Sequence, residues 1–172
     1  PSAMIQREYN LECVNLATSG QARMDFYIAE ALASIEDAIC YVIDPVPNCT
    51  KDRCDTATYD FIKILRTLRP EVPIVMVEGL MYPYTRHSSF HAEYLPQKNE
   101  GFRRGYEQHL AENPKGLYYM THDGQVGPEM EGTVDGVHLT DYGFRAYADL
   151  LEVKIKEALD NTGVEYNLTP SY

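Results

Sequence analysis

The sequence predicts an α/β domain, a parallel sheet covered on both faces by helices. Three observations carry that expectation. Short, continuously apolar runs such as PIVMVE (Pro73–Glu78) alternate with longer segments whose apolar residues recur at helical spacing. Helix- and strand-breaking residues, among them Pro45, Pro47, Pro70 and Pro114, fall between these segments. The chain has 172 residues with 44% hydrophobic and 24% charged side chains, enough for one ordinary core.

In chain order, Ala3–Tyr9 reads as the end of a helix. Glu12–Ala17 (ECVNLA) reads as a short buried strand, followed by the turn Thr18-Ser19-Gly20. Met24–Ile35 carries Met24, Tyr27, Ile28, Ala31, Leu32 and Ile35 on one helical face. Ala38–Val46 is an apolar strand stopped by its prolines. Thr56–Leu68 is an amphipathic helix ended by Pro70. Pro73–Glu78 is a buried strand, Asn99–Glu112 a helix, and Leu117–Met120 a further strand. A last helix runs over Thr140–Asp160, opened by Thr140 or Asp141 as N-cap. That makes four strands, each followed by a helix, with one helix in front. A helix in a right-handed α/β chain normally follows a strand of its own, so the sequence reads as starting one strand late.

Composition narrows the partners. Fifteen basic against 26 acidic residues give a net charge of −11. Such a surface repels phosphate backbones and anionic headgroups, which argues against nucleic-acid and membrane partners. The longest apolar runs fall far short of a membrane span. No glycine-rich phosphate loop is present, which disfavours a nucleotide-binding domain. Cys13 and Cys40 sit in apolar runs and read as reduced core thiols. Cys49 and Cys54, five apart in the polar stretch NCTKDRC, could close a small disulfide in an exported protein. The compartment is open, with a periplasmic or secreted one preferred. No cysteine spacing suits zinc.

In open α/β sheets ligands sit beyond the carboxyl ends of the strands. The residues there are Ser19-Gly20, Pro47-Asn48, Glu78-Gly79, His122-Asp123 and the loop Thr133–Thr140. Asp135 and His138 are three apart, just before the last helix. A carboxylate so placed can orient an imidazole whose other nitrogen then serves as general base; an ordinary Asp-Gly surface turn fits the spacing equally. The backbone N–H of Gly20 and the amide of Asn48 could both face one developing oxyanion; singly, each reads as a turn glycine or a loop asparagine. His87 and His91 lack a third metal ligand and read as substrate-rim or plain surface residues. His122 and Asp123 read as a solvated loop. Tyr82, Tyr84 and Tyr94 cluster before the third helix of the alternation, where aromatics suit either stacking on a sugar ring or a half-buried loop.

Together, VNLATSG with Gly20, YVIDPVPN with Asn48 and VDGVHLTDYG with Asp135 and His138, in this order, resemble the blocks of the SGNH (GDSL-type) hydrolases. PIVMVEG fits the strand between them, and the resemblance covers Pro1 to Leu159. It implies a flavodoxin-like three-layer α/β/α sandwich over residues 1–160, with 161–172 as a tail. It implies an ester hydrolase with a Ser-His-Asp triad, in which His138 and Asp135 are catalytic and Gly20 and Asn48 form the oxyanion hole. No metal or organic cofactor is implied. The substrate class is a small-molecule ester, acetylated carbohydrates included. Two departures stand out. NLATSGQAR replaces the NLGFSGNG of a bacterial branch, with Gln21 in place of an asparagine. No segment matches the first block, which carries the nucleophilic serine; Ser2 lies in a helix start, Ser88 and Ser89 have no strand before them, and the family places no nucleophile at Ser19, beside the oxyanion glycine. The implied first strand would lie between Glu12–Ala17 and Ala38–Val46, so a gap is expected there, filled by a preceding segment or by another chain. The alternative is a non-catalytic binding module of the same fold.

Overall fold

Short apolar runs become strands here only where a neighbour satisfies their backbone. The computed structural model describes residues 1–163. Its elements are α1 (Ser2–Tyr9), α2 (Phe26–Ala33), β1 (Tyr41–Ile43), α3 (Lys51–Leu68), β2 (Ile74–Val77), α4 (Ser89–Glu112), β3 (Leu117–Met120) and α5 (Asp141–Asp160). Short 3-10 turns occupy Val46–Asn48 and Pro83–His87. The three strands are parallel in the order β1-β2-β3. Tyr41 stands opposite Ile74, and Ile74 opposite Leu117.

β2 is the middle strand and all its side chains are buried, which is why its sequence is apolar without alternation. One sheet face presents Tyr41, Ile43, Ile74 and Met76 to Phe61, Ile62 and Leu65 of α3 and Phe102 of α4. The other presents Val75, Val77 and Met120 to Ile5 and Tyr9 of α1 and to Tyr147, Leu151 and Ile155 of α5. The α/β sandwich expected from the sequence is therefore present. α1 is tied to α5 by the Tyr9 hydroxyl, which donates to the Glu152 carbonyl at 2.9 Å, and by the Arg145–Glu8 ion pair.

One expected strand is absent. Glu12–Ala17 forms no strand, and β1 pairs with β2 alone among the described residues. An extended run becomes a strand only when a partner satisfies its backbone groups, and none lies alongside this one. Val14 is 55% exposed, while Cys13 packs half-buried against the α5-side core beside Cys40. Other differences concern boundaries. β1 is three residues long because Pro45 and Pro47 turn the chain into a 3-10 turn. α3 starts five residues before the expected Thr56, because the Thr50 side chain caps it by accepting from Arg53 N–H at 3.2 Å. Cys49 and Cys54 are thus buried free thiols around a helix start and not a bridged polar loop. α4 starts ten residues before the expected Asn99, capped by Ser88, and carries Pro96 within it. Residues 164–172 of the expected tail lie outside the described residues.

α3 and α4 approach closely at Gly101 and Gly105. A Cβ on Gly105 would lie 2.6 Å from Thr58 Cβ and 2.9 Å from the Tyr59 nitrogen. Neither contact can give way without moving a helix. Gly105→Ala is therefore expected to cost about 1–3 kcal/mol despite alanine's better helix propensity. Urea denaturation measures it, and an unchanged or raised midpoint would show that the helices can separate freely.

Candidate active site

Asp135 and His138 meet in a tight turn before α5. Asp135 Oδ1 accepts from the backbone N–H of Val137 (2.9 Å) and of His138 (2.8 Å). Its Oδ2 lies 2.7 Å from His138 Nδ1. The His138 backbone N–H, first, then its ring and the Val137 N–H hold the Asp135 carboxyl well below the usual carboxylate range. With the acid ionised, Nδ1 is the protonated ring nitrogen and Nε2 carries the free lone pair. The His138 side chain is 81% exposed, so Nε2 is open to a reactant. Gly136 has φ +87°, a left-handed conformation that glycine adopts without strain and that closes this turn. The Thr133–Leu139 bridge and the Thr140 cap on α5, accepting from Gly143 N–H at 3.1 Å, hold its two ends.

Asn48 ends the 3-10 turn after β1 and is half-buried. Lys98 of α4, itself buried, donates to the preceding Pro47 carbonyl at 3.3 Å. Gly20 occupies an exposed turn with φ +69° and open space around it. Arg53 of α3 donates to the carbonyls of Arg23 (2.8 Å) and Met24 (2.7 Å), and Arg23 donates to the Gly20 carbonyl at 3.2 Å. Asn48 thus lies just before α3, and Gly20 is linked to that helix indirectly, through Arg23 and Arg53. No hydrogen bond among the described residues joins either to His138.

Sequence reasoning missed the polar group beneath this rim. Glu78, at the end of β2, is fully buried. Its Oε1 accepts from Arg103 Nε (3.0 Å) and the Tyr119 hydroxyl (2.9 Å), and Arg103 Nη2 adds a further contact. Its Oε2 accepts from the His122 backbone N–H (3.0 Å) and faces His122 Nδ1 at 2.6 Å. Burial alone would raise the Glu78 carboxyl. The His122 ring, Arg103, the His122 N–H and Tyr119 together outweigh it and hold the group at about 2. His122, expected in a solvated loop, is therefore an anchor of the chain after β3. The signal available was a glutamate closing an apolar strand, which needs a partner if buried. Nearby, buried Asn99 exchanges two 2.9 Å hydrogen bonds with Gly79.

His91, expected at a substrate rim or on the plain surface, is half-buried. Its Nδ1 lies 2.8 Å from Ser88 Oγ, and its ring meets Tyr84 edge-on at 4.8 Å. Among the described residues no three metal-liganding side chains cluster, and no helix is long and apolar enough to cross a membrane.

The sequence profile of the GDSL-like lipase/acylhydrolase family matches residues 2–156. The chain belongs to that family. A structure from Bacteroides ovatus ATCC 8483, described as a GDSL-like lipase, is similar to it with a TM-score of 0.87 and 29% identity, over 96% of this chain and 48% of that one. A salicylyl-acyltransferase from a tetracycline biosynthetic pathway is similar at a TM-score of 0.70 and 16% identity, over 91% and 48%. The chain spans about half the length of each. No curated protein matches it. Within this GDSL-like domain, no hydrogen bond among the described residues joins a serine to His138. Ser34 closes α2 by donating to Ala31 (2.7 Å), Ser88 caps α4, and Ser19 is exposed in the Gly20 turn.

The Glu78–His122 contact predicts a specific pH dependence. The hydrogen bond to Glu78, the Glu78 charge and Asp123 raise His122 above its ordinary 6.5, against burial and Arg103. Its contribution is complete below about 6.5 and is lost as pH rises through the raised folded value. The Glu78 contribution is complete above 4.5 and is lost as pH falls towards about 2. His122→Ala is expected to cost about 1–3 kcal/mol at pH 5.5 and less at pH 9. Thermal melts of both proteins across that range test it; an equal cost at both pH values contradicts a charged His122.

Proposed function

We propose that this domain belongs to a serine acyl hydrolase, with His138 as general base and Asp135 as its orienting acid. The observation that carries the reading is the Asp135–His138 pair, bonded at 2.7 Å and open on the Nε2 side. The serine would come from a first-block segment, which no stretch of these 172 residues matches. Its Oγ attacks the ester carbonyl carbon while its proton passes to His138 Nε2. The Gly20 N–H and the Asn48 amide receive the oxyanion. Collapse of the tetrahedral adduct expels the alcohol, which takes the proton from His138. Water then repeats the sequence on the acyl-enzyme, releases the acid and restores the serine. No step needs a metal or organic cofactor. The substrate of this reading is a small-molecule ester, including acetyl groups on carbohydrate.

In a chain that includes the serine, His138→Ala is expected to abolish most p-nitrophenyl acetate hydrolysis. Asn48→Ala is expected to lower kcat by about a hundred- to a thousandfold, the usual loss on removing one oxyanion donor. The 172 residues alone are expected to hydrolyse the ester no faster than their His138→Ala variant. Unchanged turnover in both variants of the longer chain would place the chemistry elsewhere.

A further inference from the structure

Two thiols and an ammonium lie buried beside Asn48, and the proposed acyl transfer uses none of them. Cys49 is 5% exposed, Cys54 is fully buried, and both belong to the core on the α3 side of the sheet. Thr50 is the N-cap of α3, so Cys49 is the residue before the cap and Cys54 the fourth of the helix. Side chains at these two positions pack on one another at a helix start. Lys98 of α4 is buried as well, and its ammonium donates to the Pro47 carbonyl, a neutral acceptor. Among the described residues no carboxylate pairs with it. A buried cation needs a compensating anion. Burial pushes the Lys98 ammonium down, and the groups that oppose this are Cys54 and then Cys49. The Cys54 thiol, first, then Lys98, Arg53 and Arg23 hold Cys49 below the ordinary thiol range against burial, while the bond to Cys49 pushes Cys54 up. The positive end of α3 acts on Cys49 in the same sense.

We propose that Cys49 and Cys54 form a reversible thiol–disulfide pair, closed by a small hydroperoxide, and that closing it displaces Asn48. The consequence for catalysis rests on the acyl-hydrolase reading; the thiol chemistry does not. Both thiols are free in the resting protein, so the pair differs from a permanent structural bridge. Cys49 supplies the thiolate, the nucleophilic form. Its sulfur attacks one oxygen of hydrogen peroxide. An S–O bond forms, the O–O bond breaks, and the departing hydroxide takes up the proton that Cys49 had given up. The products are a sulfenic acid and water. The Cys54 sulfur then attacks the sulfenic sulfur. The S–S bond forms, the S–O bond breaks, and hydroxide leaves with the Cys54 proton as a second water. Two thiols are oxidised and one peroxide is reduced. The near-complete burial of the pair admits an oxidant of that size and excludes a bulky disulfide such as oxidised glutathione. In the closed form the two Cβ atoms stand about 3.5–4.5 Å apart. Cys54 is fixed inside α3, its N–H on the Thr50 carbonyl at 3.0 Å. Cys49 lies outside the helix in extended conformation, its N–H on the Val46 carbonyl at 3.2 Å. Cys49 is therefore the side that moves, and it carries the preceding Asn48 with it.

The test reads the disulfide apart from turnover. The reduced 172-residue chain is treated with hydrogen peroxide or with oxidised glutathione, alkylated after unfolding and mapped by peptide mass spectrometry. Peroxide is expected to give a Cys49–Cys54 cross-link that dithiothreitol reopens, and oxidised glutathione to give it about tenfold more slowly or less. Cys13 and Cys40 should remain open to alkylation, because burial raises Cys13 and pushes Cys40 up to about 12. Lys98→Met removes the charge and should slow closure about three- to tenfold, with a melt to confirm that the variant folds. In amide NMR spectra the Asn48 side-chain signals should shift on closure and return with dithiothreitol, which leaves any oxidised methionine unrepaired. Two free thiols after peroxide, a Cys13–Cys40 cross-link in their place, or closure that leaves the Asn48 signals unmoved overturns the inference. In a serine-containing chain, peroxide is expected to remove most ester cleavage and dithiothreitol to restore it. A chain that cross-links and shifts Asn48 but cleaves no ester in either form upholds the thiol pair and removes the hydrolase reading. Ester cleavage in a chain that peroxide does not cross-link does the reverse.

Discussion

A buried ionised carboxylate at the end of the central strand governs how the strand ends are arranged. Desolvating such a group costs several kcal/mol, so Glu78 is tolerated only while its donors stay in place. Those donors come from three places: Arg103 on α4, Tyr119 on β3 and His122 just beyond it. The chain leaving β2 and the chain leaving β3 are thereby fixed to one helix. Gln125 extends the lock by donating to the carbonyls of Glu78 and Thr121, both at 3.1 Å. From there Gly132 N–H bonds to the Val126 carbonyl at 3.0 Å, and Thr140 N–H to the Gly132 carbonyl at 2.9 Å. Gly132 and Gly143 touch backbone to backbone, leaving no room for a side chain at either. The turn of Asp135 and His138 is exposed, yet it hangs from a continuous set of hydrogen bonds that begins at a buried charge.

Much of the fold was legible because it depends on local pattern. The apolar run of β2, the helical spacing of α3 and the Thr140 cap of α5 each declare themselves within a few residues. Glu12–Ala17 failed for a physical reason. Its composition suits a strand, but β-structure requires a partner that composition does not supply. α4 was read ten residues short because its first turns, SFHAEYLPQK, mix aromatic, charged and proline residues without a clear apolar stripe. The deciding residue there is the Ser88 cap, with His91 three positions on, which resembles a surface loop until the helix is seen.

Legibility of the candidate site divides the same way. Asp135 and His138 could be paired from sequence, because three residues and one glycine form the whole turn. Glu78 and His122 could not, since 44 residues separate them and only the parallel register of β2 and β3 brings them together. The aromatic residues around the α4 start lie between these cases. Tyr82, Tyr84 and Tyr94 stood out by number, but their packing needed that helix start to turn His91 onto Tyr84 and Phe90 onto Tyr94. Family membership then explains why motifs that are weak singly are informative in sequence order.

The two sides of the candidate site are held by unequal means. The Asp135–His138 side is fixed to β2, β3, α4 and α5. Asn48 stands just beyond β1, which has a strand on one flank only among the described residues, and Gly20 lies in an exposed turn. What restrains them are cations on carbonyls: Lys98 on Pro47, Arg53 on Arg23 and Met24, and Arg23 on Gly20. Such contacts fix where the chain passes but do not fix the direction of a backbone N–H as a ladder would. An oxyanion hole works by donors aligned before the charge develops. In the proposed mechanism the imidazole half is held by a hydrogen-bonded turn, while the donor half rests on the cation–carbonyl contacts. The electrostatic contribution of the Gly20 and Asn48 donors in that mechanism is therefore more sensitive to local backbone shifts than the proton transfer at His138.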